Sequence, residues 1–308
     1  MPGLAQKFID VLYRSPRSAI HKYKRFGGYI NYELMLWNRR RMQKASFNLP
    51  PVTSHADGLE IYFLTGKKYL YQTLYCIQSL VKVTNVKLKF ILVDDGSFDK
   101  SIIARIKSQL PEAEIIIQDI IEENLNNILP EKSFANLRNK RKVYPHIKKL
   151  TDVHTLQGKA WKLVLDSDML FWKEPKELID WLKSPAAPLH MLDCKQSYGY
   201  TKQYMELLCG TKIPDLLNVG AIGLNSEKID WDRLNTWVYA LENQEGASYF
   251  LEQALTAMLI GESDSMVLQV DDYIVNPDTK TINGGLGTLH HYVDISKEGY
   301  FKQAWKTV

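Results

Sequence analysis

Residues 59–99 have the sequence LEIYFLTGKKYLYQTLYCIQSLVKVTNVKLKFILVDDGSFD, and this stretch decides the fold. It begins with an apolar strand at residues 59–64, continues with a helix whose apolar side chains recur at helical spacing, and ends with a second strand at residues 88–93. Asp99 is suited to cap a further helix, and residues 115–117 favour a third strand. The alternation of strand and helix predicts an α/β fold with a parallel sheet that helices cover on both faces.

Polar residues follow three of the predicted strands, at the positions where sheets of this kind bind ligands. Thr65-Gly66-Lys67 follows the first strand, Asp94-Asp95-Gly96-Ser97 follows the second, and Asp166-Ser167-Asp168 follows the apolar residues 161–165. We therefore expect the functional site at this edge of the sheet. Two aspartates before a glycine are also typical of a simple turn, but their place after a strand favours contact with a nucleotide.

The pair Asp166 and Asp168 stands between two apolar runs, because residues 169–172 are Met-Leu-Phe-Trp. Unpaired carboxylates in such surroundings are energetically costly. A bound Mg²⁺ or Mn²⁺ removes that cost, since both ions prefer carboxylate and phosphate oxygens. Two acids spaced in this way also occur on solvated loops, and the apolar flanks favour the metal site over that alternative.

Composition indicates an ordinary globular chain. It has 308 residues, of which 45% are hydrophobic and 24% charged, enough for one large core with a small appendage. The three cysteines are far apart and match no metal-binding spacing, which favours a reducing, cytoplasmic setting. No apolar stretch approaches the roughly 20 residues needed to cross a bilayer, and no secretory signal is evident.

Charge is unevenly distributed along the chain. Residues 1–50 contain ten Lys/Arg and two acids, a net charge of +8, so the remainder carries −4. We predict a basic helical extension over residues 1–55, followed by one domain over residues 56–308. Its apolar residues have helical spacing, first Leu4, Phe8 and Leu12, then Ile30, Leu34 and Trp37. The extension either lies on an anionic membrane surface or is a solvated helical segment packed on the domain. Nucleic-acid binding is not expected, because the basic excess is confined to this segment.

Several segments resemble the GT-A glycosyltransferases, which have a Rossmann-like, mixed and mostly parallel sheet. Residues 163–171, with Lys173-Glu174-Pro175 behind them, resemble the D-x-D segment of the family that includes glycogenin and bacterial lipopolysaccharide galactosyltransferases. Residues 91–99 resemble the V-D-D-G-S-x-D nucleotide-binding segment of the inverting GT-A enzymes. The resemblance extends over about residues 59–300.

Three later segments agree with that resemblance in order along the chain. Residues 218–225 resemble the glycine-containing strand of the donor-sugar pocket, and residues 252–255 resemble the helix start near the reacting carbon. His291, with Lys297 six residues later, matches the spacing of the C-terminal H-x-x-G-x-x-K motif, although Asp294 replaces its glycine. His290 is a rival to His291, because adjacent strand residues point to opposite faces.

The resemblance implies a role for each candidate residue. Asp166, Asp168 and His291 would bind a divalent metal, Mn²⁺ or Mg²⁺. The donor would contact Thr65, Asp95, Lys149, Asn218, Gly220 and Lys297. Glu252 would be the base of an inverting enzyme, and Gln253 would lie near the sugar in a retaining one. Lys148 is an alternative to Lys149, and both lysines, like Glu252 and Gln253, also suit a solvated helix face; His291 also suits a structural role.

The predicted function is transfer of a sugar from a nucleotide-diphosphate sugar, with UDP-sugars expected, to a hydroxyl of a glycan or lipid-linked glycan. We expect Asp193, Tyr198, Tyr200 and Tyr204 to recognise that acceptor, because hydroxyls and flat apolar faces bind sugars and lipids. Two alternatives remain: a non-catalytic nucleotide-sugar-binding or scaffold protein, and a Mg²⁺-dependent phosphatase that uses the D-x-D aspartates.

Overall fold

The strands and helices predicted from residues 59–117 are present in the computed structural model, which describes residues 23–308. The strands are β1 Leu59–Thr65, β2 Leu88–Asp94, β3 Glu114–Ile116, β4 Trp161–Leu165, β5 Met169–Phe171, β6 Leu189–Leu192, β7 Leu217–Asn225, β8 Met266–Val267, β9 Tyr273–Val275 and β10 Leu289–His291. The helices are α1 Tyr29–Ala45, α2 Leu70–Val83, α3 Lys100–Gln109, α4 Gln118–Ile128, α5 Ala135–Val143, α6 Lys148–His154, α7 Lys176–Lys183, α8 Lys202–Cys209, α9 Trp231–Glu245, α10 Leu251–Ile260, α11 Thr279–Gly284 and α12 Lys297–Lys302.

A seven-stranded sheet has the order β3-β2-β1-β4-β7-β6-β8. The first four strands of that order are parallel, β7 is antiparallel to both β4 and β6, and β8 is parallel to β6. The mixed, mostly parallel sheet flanked by helices is therefore confirmed.

Strand β2 shows how the sequence builds a core on each face of this sheet. Phe90 and Leu92 pack into one apolar cluster, whereas Ile91 and Val93 pack into the other. Neighbouring residues of a strand point to opposite faces, so a strand buried on both sides is apolar throughout.

The predicted helix cap at Asp99 is confirmed. The Asp99 side chain accepts a hydrogen bond from the Ile102 backbone N–H at 2.9 Å and caps α3.

A second sheet, of three strands, brings the C-terminal part of the chain to the end of β4. Strand β10 pairs antiparallel with β5 and parallel with β9, and His291 lies opposite Met169. The position of His291 is thus set by the strand that directly follows the D-x-D turn.

Helix α1 packs against α12. Met35 and Met42 share a buried cluster with Tyr300, Phe301 and Trp305. The helix expected around Leu4, Phe8 and Leu12 lies outside the described residues, and the domain boundary at residue 55 stays a prediction. In the described part of the chain, no helix combines the length and the apolar character that a membrane crossing requires.

Candidate active site

The D-x-D turn is held at the end of β4 by its neighbours on both sides. The Asp166 backbone N–H donates to the Gly220 carbonyl at 2.7 Å, which fixes the turn to β7. The Ser167 hydroxyl lies 2.8 Å from the Thr73 hydroxyl, which lies 2.8 Å from that of Thr65. A chain of three hydroxyls therefore anchors the turn to β1 and α2.

Asp166, Asp168 and His291 converge at this turn. His291 Nε2 lies 3.5 Å from Asp166 Oδ2 and 3.5 Å from Asp168 Oδ1. One ligand atom from each residue falls within 4.8 Å of the other two, so the group could hold a metal ion. Two carboxylate oxygens and one imidazole nitrogen form a donor set that suits a divalent cation.

His290 points away from this group. Its Nε2 lies 2.5 Å from the Leu286 carbonyl, its Nδ1 lies 3.1 Å from the Tyr292 hydroxyl, and its ring packs against Trp172. Burial lowers the pKa of His290 to about 4, so the ring is neutral near pH 7. Of the two adjacent histidines, only His291 faces the carboxylates.

The orientation of the His291 ring is set by Asn218 and Gly220. His291 Nδ1 lies 3.1 Å from Asn218 Oδ1, and that oxygen also accepts the Gly220 backbone N–H at 2.9 Å. An amide oxygen can only accept, so Nδ1 must carry a proton, and Nε2 is the ring nitrogen that faces the carboxylates and could bind a metal. Metal-binding histidines are commonly oriented by an oxygen that accepts from the far ring nitrogen, and Asn218 supplies such an oxygen here. The donor set thus fits a metal.

Asp193 contacts the Asn218 side chain that orients His291. Its Oδ2 accepts from Asn218 Nδ2 at 3.2 Å and from Gln253 Nε2 at 3.3 Å. Asp193 is buried and links strand β7 to the start of α10, and its contact with the acceptor stays a prediction. Sequence spacing gave no signal for this link, since it joins residues 25 and 60 positions apart.

Lys149 is buried in the site, so the interpretation as a solvated helix face is wrong for this residue. Its Nζ lies 2.9 Å from Asp166 Oδ1, 3.0 Å from the Val219 carbonyl and 3.4 Å from Glu252 Oε1. Burial alone would lower the pKa of Lys149, but the two carboxylates outweigh it and raise the pKa. Lys148 instead donates to the Asp95 carbonyl at 2.6 Å.

Glu252 and Gln253 begin α10 and are both buried, so a solvated helix face does not explain them. Burial raises the pKa of Glu252 to about 7, with Lys149 acting in the opposite direction. A carboxyl group with a pKa near neutrality can hold or release a proton at physiological pH.

Lys297 is the first residue of α12, and its Nζ lies 2.7 Å from Asp168 Oδ2. Burial favours the protonated form of Asp168, but Lys297 and then His291 outweigh it and hold the pKa of Asp168 well below its usual range. The pKa of Lys297 is raised, because the attraction of Asp168 exceeds the effect of burial. The carboxylate and the ammonium are therefore both charged.

The loop after β2 has two aspartates with different surroundings. Asp94 Oδ1 accepts from the backbone N–H groups of Gly96, Ser97 and Phe98 at 2.8 to 2.9 Å, so Asp94 shapes the turn. Asp95 is half-buried and accepts from the Ser97 hydroxyl at 2.5 Å.

Gly66 lets the loop after β1 pack closely against the Asp95 side chain, because a Cβ at position 66 would overlap the Asp95 carboxylate. The Thr65 side chain is enclosed and bonded to Thr73, so only its main chain faces this loop, where its carbonyl accepts from the Asp95 N–H at 2.9 Å. Nucleoside contact by Thr65 and Asp95 stays a prediction.

The aromatic residues near the site differ from those predicted. Tyr198 and Tyr200 are buried in an apolar core, so their predicted role in acceptor recognition is wrong, whereas Tyr204 is half-buried against that core and its role stays a prediction. Tyr249 is 68% exposed, and its ring packs 4.9 Å from that of His146. The Tyr144 hydroxyl donates to the Tyr249 carbonyl at 2.5 Å and accepts from the Glu252 backbone N–H at 3.3 Å, so Tyr249 lies beside the start of α10. Tyr249 had no distinguishing sequence signal, because it lies in a loop that matches no motif.

The fold and these strand-end residues define the chain as a member of the GT-A fold class. A comparison with protein-family models and with curated proteins finds no match. Among solved structures, the chain is similar to a galactosyltransferase, LgtC, in complex with donor and acceptor sugar analogs, at 14% identity, TM-score 0.54, and coverage of 81% of this chain and 96% of that one. It is also similar to the apo form of mouse xyloside xylosyltransferase 1, at 15% identity, TM-score 0.51, and coverage of 78% and 97%. At this level of identity the likeness establishes the shared fold.

Proposed function

We propose that this protein is a metal-dependent glycosyltransferase that transfers a sugar from a nucleotide-diphosphate sugar, with UDP-sugars expected, to a hydroxyl of a glycan or lipid-linked glycan. The observation that carries the proposal is the group Asp166, Asp168 and His291, flanked by Lys149 and Lys297, at the edge of a sheet where this fold binds ligands. Donor and acceptor sugar analogs are present in the similar LgtC structure, which supports the assignment of substrate class.

The reaction places negative charge on the leaving diphosphate. When bound by Asp166, Asp168 and His291, Mn²⁺ or Mg²⁺ supplies Lewis-acid stabilisation of that charge. Lys297 contributes a fixed positive charge on the same side, because its ammonium already lies against Asp168. Lys149 holds Asp166 in place and compensates the charge of Glu252.

Two residues at the start of α10 are candidates for the chemical step. In an inverting reaction, Glu252 takes the proton of the acceptor hydroxyl, for which a pKa of about 7 is suitable. In a retaining reaction, Gln253, which Asp193 orients, lies against the donor sugar. The anomeric configuration of the product, read by NMR, decides between the two assignments.

Thermal shift with nucleotide sugars tests the proposal. We expect one class among UDP-, GDP-, CMP- and dTDP-sugars to stabilise the wild type in the presence of Mn²⁺, by about 2.7 kcal/mol once ligand reaches roughly 100 times its Kd. Asp168→Asn should lose this stabilisation. Asp264→Asn makes the same change at an exposed carboxylate and should keep it.

Turnover separates an enzyme from a binding protein. Hydrolysis or transfer of the stabilising donor supports a glycosyltransferase, whereas binding without turnover favours the scaffold alternative. If no nucleotide sugar raises the melting temperature with or without Mn²⁺, the proposal is wrong, and phosphatase substrates are the next class to assay.

A further inference from the structure

Helix α1 has two apolar faces, and only one of them packs on the protein. Met35 and Met42 are buried against α12. Ile30, Leu34 and Trp37 lie on another face and are 82%, 46% and 50% exposed. They follow one another at intervals of four and three residues, so they form one continuous stripe along the helix.

Cations continue the same stripe toward the end of the helix. Arg41 and Lys44 follow Trp37 at the same intervals, Arg40 lies beside them, and all three are exposed. Among residues 23–308, no carboxylate lies within salt-bridge distance of these three side chains. The Arg41 guanidinium lies 4.7 Å above the Trp37 ring, so the apolar and cationic parts of the stripe are in contact.

The stripe also extends beyond the helix. Phe47 is 63% exposed, and the Arg105 guanidinium lies 3.8 Å from the centre of its ring. Helix α1 itself contains four cations and one acid, Glu33, a net charge of +3. Exposed apolar residues thus lie before and after a group of cations along α1 and the segment that follows it.

We propose that this stripe, formed by Ile30, Leu34, Trp37, Arg40, Arg41, Lys44 and Phe47, docks on an anionic lipid bilayer. A helix lying in the membrane interface buries its apolar side chains near the acyl chains and directs its cations to the headgroups. Residues 51–308 carry a net charge of −4, so an anionic bilayer repels the rest of the chain and selects this side. Charge complementarity therefore favours a bilayer over a symmetric dimer formed through this stripe, in which the same cations would face one another.

Docking of this kind orients the active site. Asn31 Nδ2 on α1 donates to Glu298 Oε1 at 2.7 Å, and Glu298 follows Lys297 in the sequence. The stripe is therefore one helix away from the residue that lies against Asp168. If the proposed glycosyl transfer is correct, docking through α1 would hold the site near the bilayer, which suits an acceptor carried by a lipid.

Vesicle flotation of the full chain tests the proposal. We expect binding to vesicles of phosphatidylcholine with about 30% phosphatidylglycerol, weak binding to phosphatidylcholine alone, and loss of binding at high salt. The triple variant Arg40→Glu, Arg41→Glu and Lys44→Glu should bind at least about tenfold more weakly. Ile30→Ser with Trp37→Ser should also weaken binding, because it removes apolar area from the interface.

A matched control variant replaces three cations by glutamate, as the Arg40, Arg41 and Lys44 variant does, but outside the stripe. Lys132, Lys176 and Lys228 are exposed and distant in sequence from α1, and their replacement by glutamate should leave flotation unchanged. All variants should keep the wild-type melting temperature and its response to nucleotide sugars, so failure of docking is separable from failure of the donor site.

Three results overturn the proposal. The first is equal binding of the wild type to neutral and anionic vesicles. The second is flotation of the Arg40, Arg41 and Lys44 variant at the wild-type level, which would place any membrane contact elsewhere, including residues 1–22. The third is self-association in analytical ultracentrifugation that the stripe variants abolish without any effect of lipid.

Discussion

At the scale of the residue, Gly220 lies where strand β7 passes beside the ring of His291. A Cβ at this position would overlap the His291 ring and would lie 2.6 Å from Met169 Cε. Both neighbours are buried, so neither can move aside freely. The absence of a side chain at position 220 is therefore what lets His291 approach Asp166 and Asp168.

Replacing Gly220 should reduce metal-dependent donor binding more than it reduces folding stability. We expect Gly220→Ala to weaken Mn²⁺-dependent donor binding by at least about tenfold, because disturbing the groups that orient a metal-binding histidine typically costs that much. Isothermal titration calorimetry measures the change. Gly246→Ala is the control, because an added methyl group at position 246 would meet open space. The φ of +85° at this position disfavours alanine, so the substitution should lower folding stability without changing donor affinity. Equal donor affinity in Gly220→Ala and wild type would contradict the steric argument.

Glu252 makes folding stability depend on pH in a direction that follows from its burial. The folded protein keeps the Glu252 proton up to about pH 7, whereas the unfolded chain releases it near the ordinary pKa of 4.5. Between these values the folded state binds more protons, so stability falls as pH rises. The stabilisation is fully present below about pH 4.5 and is lost as pH passes about 7.

Comparison with Glu252→Gln isolates this effect. The free energy of unfolding of the wild type relative to Glu252→Gln should fall between pH 5 and pH 8, by at most about 1.4 kcal/mol per pH unit. Urea unfolding in the presence of a chelator measures it. Glu227→Gln, which alters an exposed carboxyl, should show no such trend. A relative stability of Glu252→Gln that is constant across this range would mean that the carboxyl is not desolvated.

At the scale of the element, α1 and α12 stabilise one another. Met42 is fully buried in their shared cluster with Tyr300 and Phe301, and the Arg39 Nε also donates to the Tyr71 hydroxyl on α2 at 2.9 Å. Since Lys297 begins α12, the packing of α1 supports the residue that contacts Asp168. Helix α1 is thus part of the structure that positions the site.

Two substitutions on α1 should have different effects on stability. Met42→Ala leaves a cavity and should cost about 2–5 kcal/mol. Leu34→Ala lies on the exposed stripe and should change stability by no more than about 0.5 kcal/mol. Chemical denaturation of both variants measures the difference. Similar small losses in the two variants would show that α1 does not pack on α12 in solution.

At the scale of the whole molecule, the candidate metal group joins the two sheets. Asp166 follows β4 of the seven-stranded sheet, whereas Asp168 precedes β5 and His291 ends β10 in the three-stranded sheet. A ligand held by all three would connect the sheets at the place where the chain passes directly from β4 to β5. Metal binding should therefore stabilise their junction as well as the site.

Hydrogen exchange with and without Mn²⁺ tests this coupling. We expect slower exchange of the backbone amides of β5 and β10 when Mn²⁺ is added, by roughly a hundredfold at about 100 times its Kd, because only the folded junction binds the ion. Strand β3, at the far edge of the large sheet, serves as the internal control. Unchanged exchange in β5 and β10 of a protein that still binds Mn²⁺ would place the ion elsewhere.

The sequence by itself determined the elements and the edge of the sheet where the polar residues meet. Helical spacing in α2, the cap at Asp99 and the unbroken apolar run of β2 are local patterns, and such patterns fix secondary structure through periodicity and burial. Parallel strands place their carboxyl ends together, so the order of the elements alone predicts Asp95, Asp166 and Asp168 at that edge.

Only the tertiary structure decided which side chains meet there. Lys297 and Asp168 are 129 residues apart, and His291 and Asn218 are 73 apart, so no local pattern links either pair. The orientation of His291 rather than His290 toward the carboxylates depends on the pairing of β10 with β5. Burial of Lys149 depends on contacts with Val219 of β7 and Glu252 of α10, which are 70 and 103 residues away. Periodicity is a property of neighbouring residues, whereas charge pairing and burial depend on distant elements that only the folded chain brings into contact.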